Sequence, residues 1–166
     1  MGTQADRQLG VDIEHLIVEF FSKRGITAKL SKDPFDADKD LILTVNGEDH
    51  SLENKLETRF HMFNSFTVPI SSNEKASGIH SNQLSKCMNV DILIFCQRPE
   101  PDDPVLRIYS APPLGKRNFV IRQNTRDKRY VAHFPIDKMT LIGTITDMSI
   151  VQKYMRHGVM EYAKSF

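Results

Sequence analysis

The first part of the chain carries apolar residues at helical spacing. Residues 11–24 read VDIEHLIVEFFSKR, and Gly25 follows them. The apolar positions recur at intervals of three and four residues: Ile13, Leu16, Ile17, Phe20 and Phe21. This spacing places them on one face of an α-helix, and glycine commonly ends a helix. The pattern predicts a first helix over 11–24 that buries one side.

Three strand-like segments follow, at residues 26–30, 40–45 and 48–57. Asn46 and Gly47 separate the last two. A type I′ turn requires positive φ at both central residues, which Asn and Gly tolerate best. The pair therefore predicts a tight β-hairpin whose register can be counted outward from the turn.

This register gives the hairpin two unlike faces. It opposes Leu41 to Leu52 and Asp40 to Glu53. Opposed side chains lie about 4.5–5.5 Å apart at Cβ on the same side of the sheet, and Lys55 returns to that side two residues later. One face is thus apolar, and the other ends in two carboxylates and an ammonium group.

Further elements are predicted up to residue 97. Residues 66–70, FTVPI, contain Pro69 and therefore predict a short or edge strand. A weaker helical pattern spans 74–88, and the continuous apolar run at 90–95 predicts a buried strand. The element order through about residue 96 is helix, three strands, helix, strand.

The rest of the chain predicts additional strands and a last helix. The strands fall at 105–111, 117–123 and 129–134, and the helix spans about 147–164. The fold class is therefore expected to be α/β (α+β), with a central mixed β-sheet flanked by helices. We expect a single domain over residues 1–166, with a core at about 10–97 and a C-terminal extension at about 98–166.

Length and composition are those of an ordinary globular domain. The chain has 166 residues, of which 40% are hydrophobic and 26% are charged. Its sequence contains no apolar run of membrane-spanning length and no secretory h-region. We expect a cytoplasmic protein with no membrane partner.

The two cysteines, Cys87 and Cys96, flank an apolar strand and are expected to be buried thiols. A metal site with His80 is the alternative, but its spacing matches no common zinc pattern. The cysteines therefore predict no disulfide framework.

Positive charge is concentrated in residues 115–130. Asp127 is the only acidic residue in this stretch, so its local net charge is +5, in a chain whose net charge is +1. The six basic residues are Lys116, Arg117, Arg122, Arg126, Lys128 and Arg129. Such a stretch indicates an anionic partner, nucleic acid above all. A solvated basic face is the alternative interpretation.

The opposed carboxylates of Asp40 and Glu53 favour a bound cation, because facing like charges repel. Mg²⁺ prefers oxygen ligands, commonly one or two carboxylates with water and substrate phosphate. Lys55 on the same face is placed to stabilise charge on a reacting phosphate. The predicted chemistry is metal-assisted phosphodiester hydrolysis.

Asp40, the strand after it and Glu53-Asn54-Lys55 resemble the signature of the PD-(D/E)xK nuclease superfamily, which includes restriction endonucleases and Holliday-junction resolvases. The resemblance extends to the element order through about residue 96, an αβββαβ core. One departure is Lys39, which stands where the family motif often has proline.

The resemblance implies an Mg²⁺-dependent deoxyribonuclease, with Mn²⁺ as an alternative metal. Asp40 and Glu53 would bind the metal and Lys55 would assist catalysis. Glu14 on the first helix would be a further catalytic residue, and Gln83 would contact nucleic acid from the helix after the motif. DNA would be the substrate, and cutting of two strands would favour a homodimer.

Two other functions are compatible with the same residues. A binding module would grip nucleic acid or protein without cutting, so that its carboxylates would be incidental. A regulatory protein, such as an inhibitor of phage or host machinery, would use the acidic face for protein contacts.

Overall fold

The structure is a computed structural model that describes residues 4–30, 41–57, 64–70, 82–97, 105–126 and 128–147. Within these ranges the chain forms two α-helices, nine β-strands and one short 3₁₀ turn. Their bounds in chain order are α1 (Gln4–Ser22), β1 (Thr27–Leu30), β2 (Leu41–Val45), β3 (Glu48–Glu57), β4 (Ser65–Pro69), α2 (Asn82–Asn89), β5 (Ile92–Gln97), β6 (Leu106–Ser110), β7 (Val120–Gln123), β8 (Tyr130–Pro135), the 3₁₀ turn (Ile136–Lys138) and β9 (Thr140–Ile145).

The strands form two sheets. The larger has six strands in the order β1-β2-β3-β5-β6-β9, and the smaller has three in the order β4-β8-β7. The pair β3–β5 is parallel, while the other neighbours in the larger sheet are antiparallel. The prediction of a mixed α+β fold with a central mixed sheet is therefore confirmed. No helix in the described part of the chain is long and apolar enough to cross a membrane.

The β2–β3 hairpin has the register predicted from its turn. Asn46 and Gly47 have φ values of 53° and 80°, the left-handed conformation that a type I′ turn requires. Leu41 pairs with Leu52, and each later pair follows as counted. Asp40 lies outside the described residues, so its pairing with Glu53 stays a prediction.

Alternation along the strands divides the larger sheet into two buried faces. On one face α1 packs against residues of the central strands, including Leu41, Leu52 and Ile94. On the other face, α2 and the smaller sheet pack against Leu93 and Phe95. Because Leu52 faces α1, the neighbouring Glu53 must face α2.

Most predicted elements are present, with shifted bounds. The first helix begins at Gln4 instead of residue 11, because the good helix formers Gln4, Ala5, Arg7, Gln8 and Leu9 offset the poorer Asp6 and Gly10. It ends before Gly25, which has a φ of 77°. Within the described residues the second helix covers Asn82–Asn89, and the predicted C-terminal helix falls almost wholly outside them.

The strands after residue 64 were predicted from the sequence with one exception, the last strand. Pro69 ends β4, which is an edge strand as predicted. The three later strands are also present, as β6, β7 and β8. The pattern did not predict β9, because its apolar residues do not alternate and it obtains its partner from β6.

Gly143 of β9 gives a test of how closely α1 packs on the sheet. A Cβ added at this position would meet two atoms of the Phe20 ring at 2.5 Å. Gly143→Ala is therefore expected to lower the free energy of unfolding by about 1–3 kcal/mol, measured by urea denaturation. The matched control is Gly10→Ala in α1, where nothing lies within 4 Å. Equal stability changes in the two variants would contradict the close packing.

Candidate functional site

The candidate site is built on the second half of β3. Glu53 and Lys55 are two residues apart on this strand, so their side chains lie on the same side of the sheet. The Lys55 Nζ atom lies 2.9 Å from Oε1 of Glu53, and the exposed fractions of the two side chains are 20% and 1%. A buried glutamate is thus paired with a lysine whose side chain is partly exposed.

The electrostatic environment of this pair includes α2. Cys87 of α2 is fully buried, and burial raises the pKa of its thiol to about 12, with Lys55 acting in the opposite direction and Glu53 raising it further. The thiol is therefore neutral near pH 7 and not a nucleophile. Alternation along β3 places the Glu53–Lys55 pair on this same α2 side of the sheet.

Cys96 lies on the opposite face of the sheet. Its Sγ donates a hydrogen bond to Oδ1 of Asn54 at 3.0 Å, and burial raises the pKa of the thiol. Both cysteines are free and buried, which confirms their predicted role. His80 of the alternative metal site lies outside the described residues.

Sequence reasoning missed a second buried carboxylate on the same strand. Glu57 is 4% exposed. Its Oε2 accepts a hydrogen bond from the backbone N–H of Thr67 at 2.7 Å, and the Thr67 hydroxyl donates to both carboxylate oxygens at 3.0–3.1 Å. These contacts fasten the end of β3 to β4, and so connect the larger sheet to the smaller one.

A polar row extends from Glu57 across the neighbouring strands. Glu57 pairs with Gln97 of β5, and Gln97 pairs with Arg107 of β6. All three lie on the α2 side, because the adjacent Cys96 and Ile108 belong to the core beneath α1. Gln97 is 7% exposed and is the last residue of β5, whose other residues are apolar. That single polar residue was the sequence signal for this row.

The other predicted catalytic residues have different surroundings. Glu14 is half-buried on α1, which packs on the opposite face of the larger sheet from Glu53. Gln83 is exposed on α2. Asp40 lies outside the described residues. Within the described part of the chain, no group of three His, Cys, Asp or Glu side chains is arranged to hold a metal ion, so the predicted two-carboxylate site depends on Asp40.

The predicted basic surface is largely exposed. Four of its residues belong to the β7–β8 hairpin or its connecting loop, and one lies in the loop before β7: Arg122, Arg126, Lys128, Arg129 and Lys116. Backbone hydrogen bonds join Asn124 to both Lys128 and Arg129. These five exposed residues, here called the basic surface, carry charges suited to phosphates.

Arg117 does not belong to that surface, because it is 5% exposed. Its guanidinium donates four hydrogen bonds of 2.6–2.9 Å to backbone carbonyls, those of Pro112, Cys87, Val90 and Asp91. Burial lowers the pKa of Arg117, while Cys87 and Asp91 act in the opposite direction. Arg117 was predicted to contact DNA, but its buried guanidinium instead has a structural role in the interior.

A groove between α1 and the end of β9 lies apart from this site. It is lined partly by charged residues that contact neighbours within the groove. Lys23 is 2.9 Å from Glu19, and the Arg24 guanidinium lies 3.5 Å from the centre of the Phe20 ring. These contacts support the packing of α1 and give the groove no chemistry comparable to that of Glu53 and Lys55.

Comparison with known proteins adds no relative to this picture. The chain matches no protein-family model and no curated protein.

Proposed function

We propose that this protein is an Mg²⁺-dependent endodeoxyribonuclease of the PD-(D/E)xK type. The observation that carries the proposal is the Glu53–Lys55 pair on β3, in which a 2.9 Å contact joins the carboxylate of a side chain that is 1% exposed to the ammonium group of one that is 20% exposed. Burying such a pair costs solvation free energy, and a catalytic centre gives a physical reason for accepting that cost.

The arrangement of the larger sheet supports the same proposal. Its elements follow the order helix, three strands, helix, strand, with β4 diverted into the smaller sheet. The helices α1 and α2 cover opposite faces. This order fits the αβββαβ core of restriction-endonuclease-like proteins, with β6 to β9 as an extension.

The donor set of the site suits a hard divalent cation. Glu53 would hold Mg²⁺ together with Asp40, which directly precedes β2. When bound, the ion would polarise a phosphodiester and lower the pKa of an attacking water. Glu53 also fixes the position of Lys55, whose ammonium would donate hydrogen bonds to a phosphate oxygen as negative charge develops there.

The exposed basic residues would bind DNA on either side of the scissile bond. Lys116 and the basic residues of the β7–β8 hairpin would contact phosphates, with Gln83 contributing from α2. Such contacts position the substrate without reading its bases, and they make affinity fall with increasing salt. A homodimer would allow both strands of a duplex to be cut.

The proposal is tested by assaying the purified chain on plasmid, single-stranded and four-way-junction DNA. We expect cleavage of at least one substrate with Mg²⁺ or Mn²⁺ and none with EDTA. Lys55→Gln, prepared in the same way, should cut at least about 100-fold more slowly, because an amide donates hydrogen bonds without a positive charge. Metal-independent activity, or unchanged activity in Lys55→Gln, would refute the assignment.

A second candidate is a nucleic-acid-binding module that does not cut. The observation in its favour is the exposed basic surface, which binds phosphates whether or not the carboxylates are catalytic. Salt-sensitive DNA binding with no cleavage under any metal condition would select this function over the nuclease.

A further inference from the structure

The loop between β6 and β7 contains a turn with a defined conformation. The backbone N–H of Lys116 donates to the carbonyl of Pro113 at 2.9 Å, and Gly115 has a φ of 87°. Positive φ at the third residue is typical of a type II turn, for which Gly is preferred. Pro112 and Pro113 further restrict the chain on its N-terminal side. Leu114 therefore lies at the tip of a stiff turn.

Arg117 anchors this turn to the body of the protein. Its Nε donates to the carbonyl of Pro112 at 2.9 Å, which closes the loop on itself. Its Nη1 donates to the carbonyls of Cys87 and Val90 at 2.9 and 2.6 Å. Carbonyls in the last turn of a helix have no partner within that helix, and a cation also interacts favourably with this end of the helix dipole. Residues 112–117, here called the anchored turn, are thus held against the end of α2.

The anchored turn projects an apolar and a basic side chain together. Leu114 is 50% exposed, and Lys116 is exposed two residues later. A single exposed leucine is ordinary on a protein surface. What distinguishes Leu114 is that a buried arginine with four hydrogen bonds fixes the base of its turn.

Hydrogen bonds connect the base of the anchored turn to the strand that carries the candidate site. Arg117 Nη2 donates to the carbonyl of Asp91 at 2.8 Å. The backbone N–H of Asp91 donates to the Ser51 hydroxyl at 3.0 Å, and the N–H of Ser51 donates to Asp91 Oδ2 at 3.2 Å. Ser51 precedes Glu53 by two residues on the same side of β3, a distance of about 7 Å. The base of the anchored turn is therefore linked, through Asp91 and Ser51, to the strand that would hold the substrate.

We propose that the anchored turn is a DNA wedge, in which Leu114 inserts at a base step while Lys116 pairs with an adjacent phosphate. This inference rests on the proposed nuclease function. Proteins that distort DNA commonly insert an apolar side chain between base pairs and stabilise the bent backbone with nearby cations. Because the turn is already ordered, little conformational entropy is lost when Leu114 is inserted.

The wedge implies a preference among DNA substrates. Insertion requires unstacking, which costs least at flexible pyrimidine–purine steps and at mismatched or unpaired bases. The favoured substrate would be a duplex or junction with a deformable step near the scissile phosphate. A uniformly stacked duplex would bind less tightly.

The test uses the full chain in EDTA with a duplex that carries 2-aminopurine at a TA step, whose fluorescence rises when the base is unstacked. Wild-type protein is expected to raise the fluorescence, and Leu114→Ala to lose most of that rise and bind about tenfold more weakly. Leu114→Met should retain both properties. Lys116→Gln should make the slope of log K against log salt concentration shallower by about one, because one phosphate contact is lost.

The matched control is Leu141→Ala, because Leu141 is 52% exposed but lies on β9. This variant should behave as the wild type. Equal binding and fluorescence in Leu114→Ala and the wild type would overturn the wedge and favour a protein-binding role for the turn, without affecting a nuclease assignment based on cleavage. Wild-type binding with no fluorescence rise, or no DNA binding at all, would also overturn the wedge, while the nuclease assignment is decided separately by the cleavage assay with Mg²⁺.

Discussion

Arg117→Met is expected to lower the free energy of unfolding by about 3–5 kcal/mol. The substitution keeps an apolar stem but removes donors to four backbone carbonyls, two of them in fully buried hydrogen bonds. A buried acceptor left unsatisfied costs roughly 1–3 kcal/mol. Urea denaturation followed by circular dichroism would measure the change.

Two further variants show whether the geometry of Arg117 matters. Arg117→Lys retains the charge, but one ammonium group cannot match the planar fork that serves carbonyls from two separate segments. We expect most of the stability loss to persist. Lys116→Met changes a neighbouring exposed residue and should alter the unfolding free energy by less than about 0.5 kcal/mol. An Arg117→Met midpoint equal to that of the wild type would exclude the anchor.

The role of Arg117 shows what sequence reasoning misses. Within residues 115–130 it is one of six basic residues, and nothing local separates it from its neighbours. Its partners Cys87 and Val90 precede it by 30 and 27 residues. Only the packing of the loop against α2 turns a member of a basic cluster into an interior anchor.

The β2–β3 hairpin shows the opposite case. The Asn46–Gly47 turn determines its own backbone conformation, and the two-residue period of a strand then determines which side chains share a face. Both determinants are local in sequence, so the register and the common face of Glu53 and Lys55 could be predicted. The burial of Glu53 and Lys55 beneath α2 could not be predicted in this way, because it depends on elements that follow in the chain.

The contrast between Glu53 and Glu57 follows from the same reasoning. Both are buried carboxylates on the α2 side of β3, yet only Glu53 belongs to the predicted motif. Glu57 binds Thr67 of the smaller sheet, a partner that arises from tertiary packing. The pair offers a natural comparison between a proposed catalytic carboxylate and a structural one.

Glu53→Gln is therefore expected to reduce Mg²⁺-dependent DNA cleavage at least about 100-fold while leaving the fold intact. Glutamine has nearly the same shape and its amide oxygen can still accept a hydrogen bond from Lys55. It lacks the negative charge that would hold the metal and restrain the ammonium group. Initial cleavage rates over a range of Mg²⁺ concentrations would measure the loss.

Glu57→Gln is the matched control, because it removes the same charge from the same face of the same strand. The amide oxygen can still accept a hydrogen bond from Thr67, so we expect a modest loss of stability and a cleavage rate within about threefold of the wild type. If both variants lose activity equally, the loss reflects general disruption of the β3 end. A selective loss in Glu53→Gln that higher Mg²⁺ partly restores would assign the metal-binding role to Glu53, because weaker metal affinity is overcome by mass action.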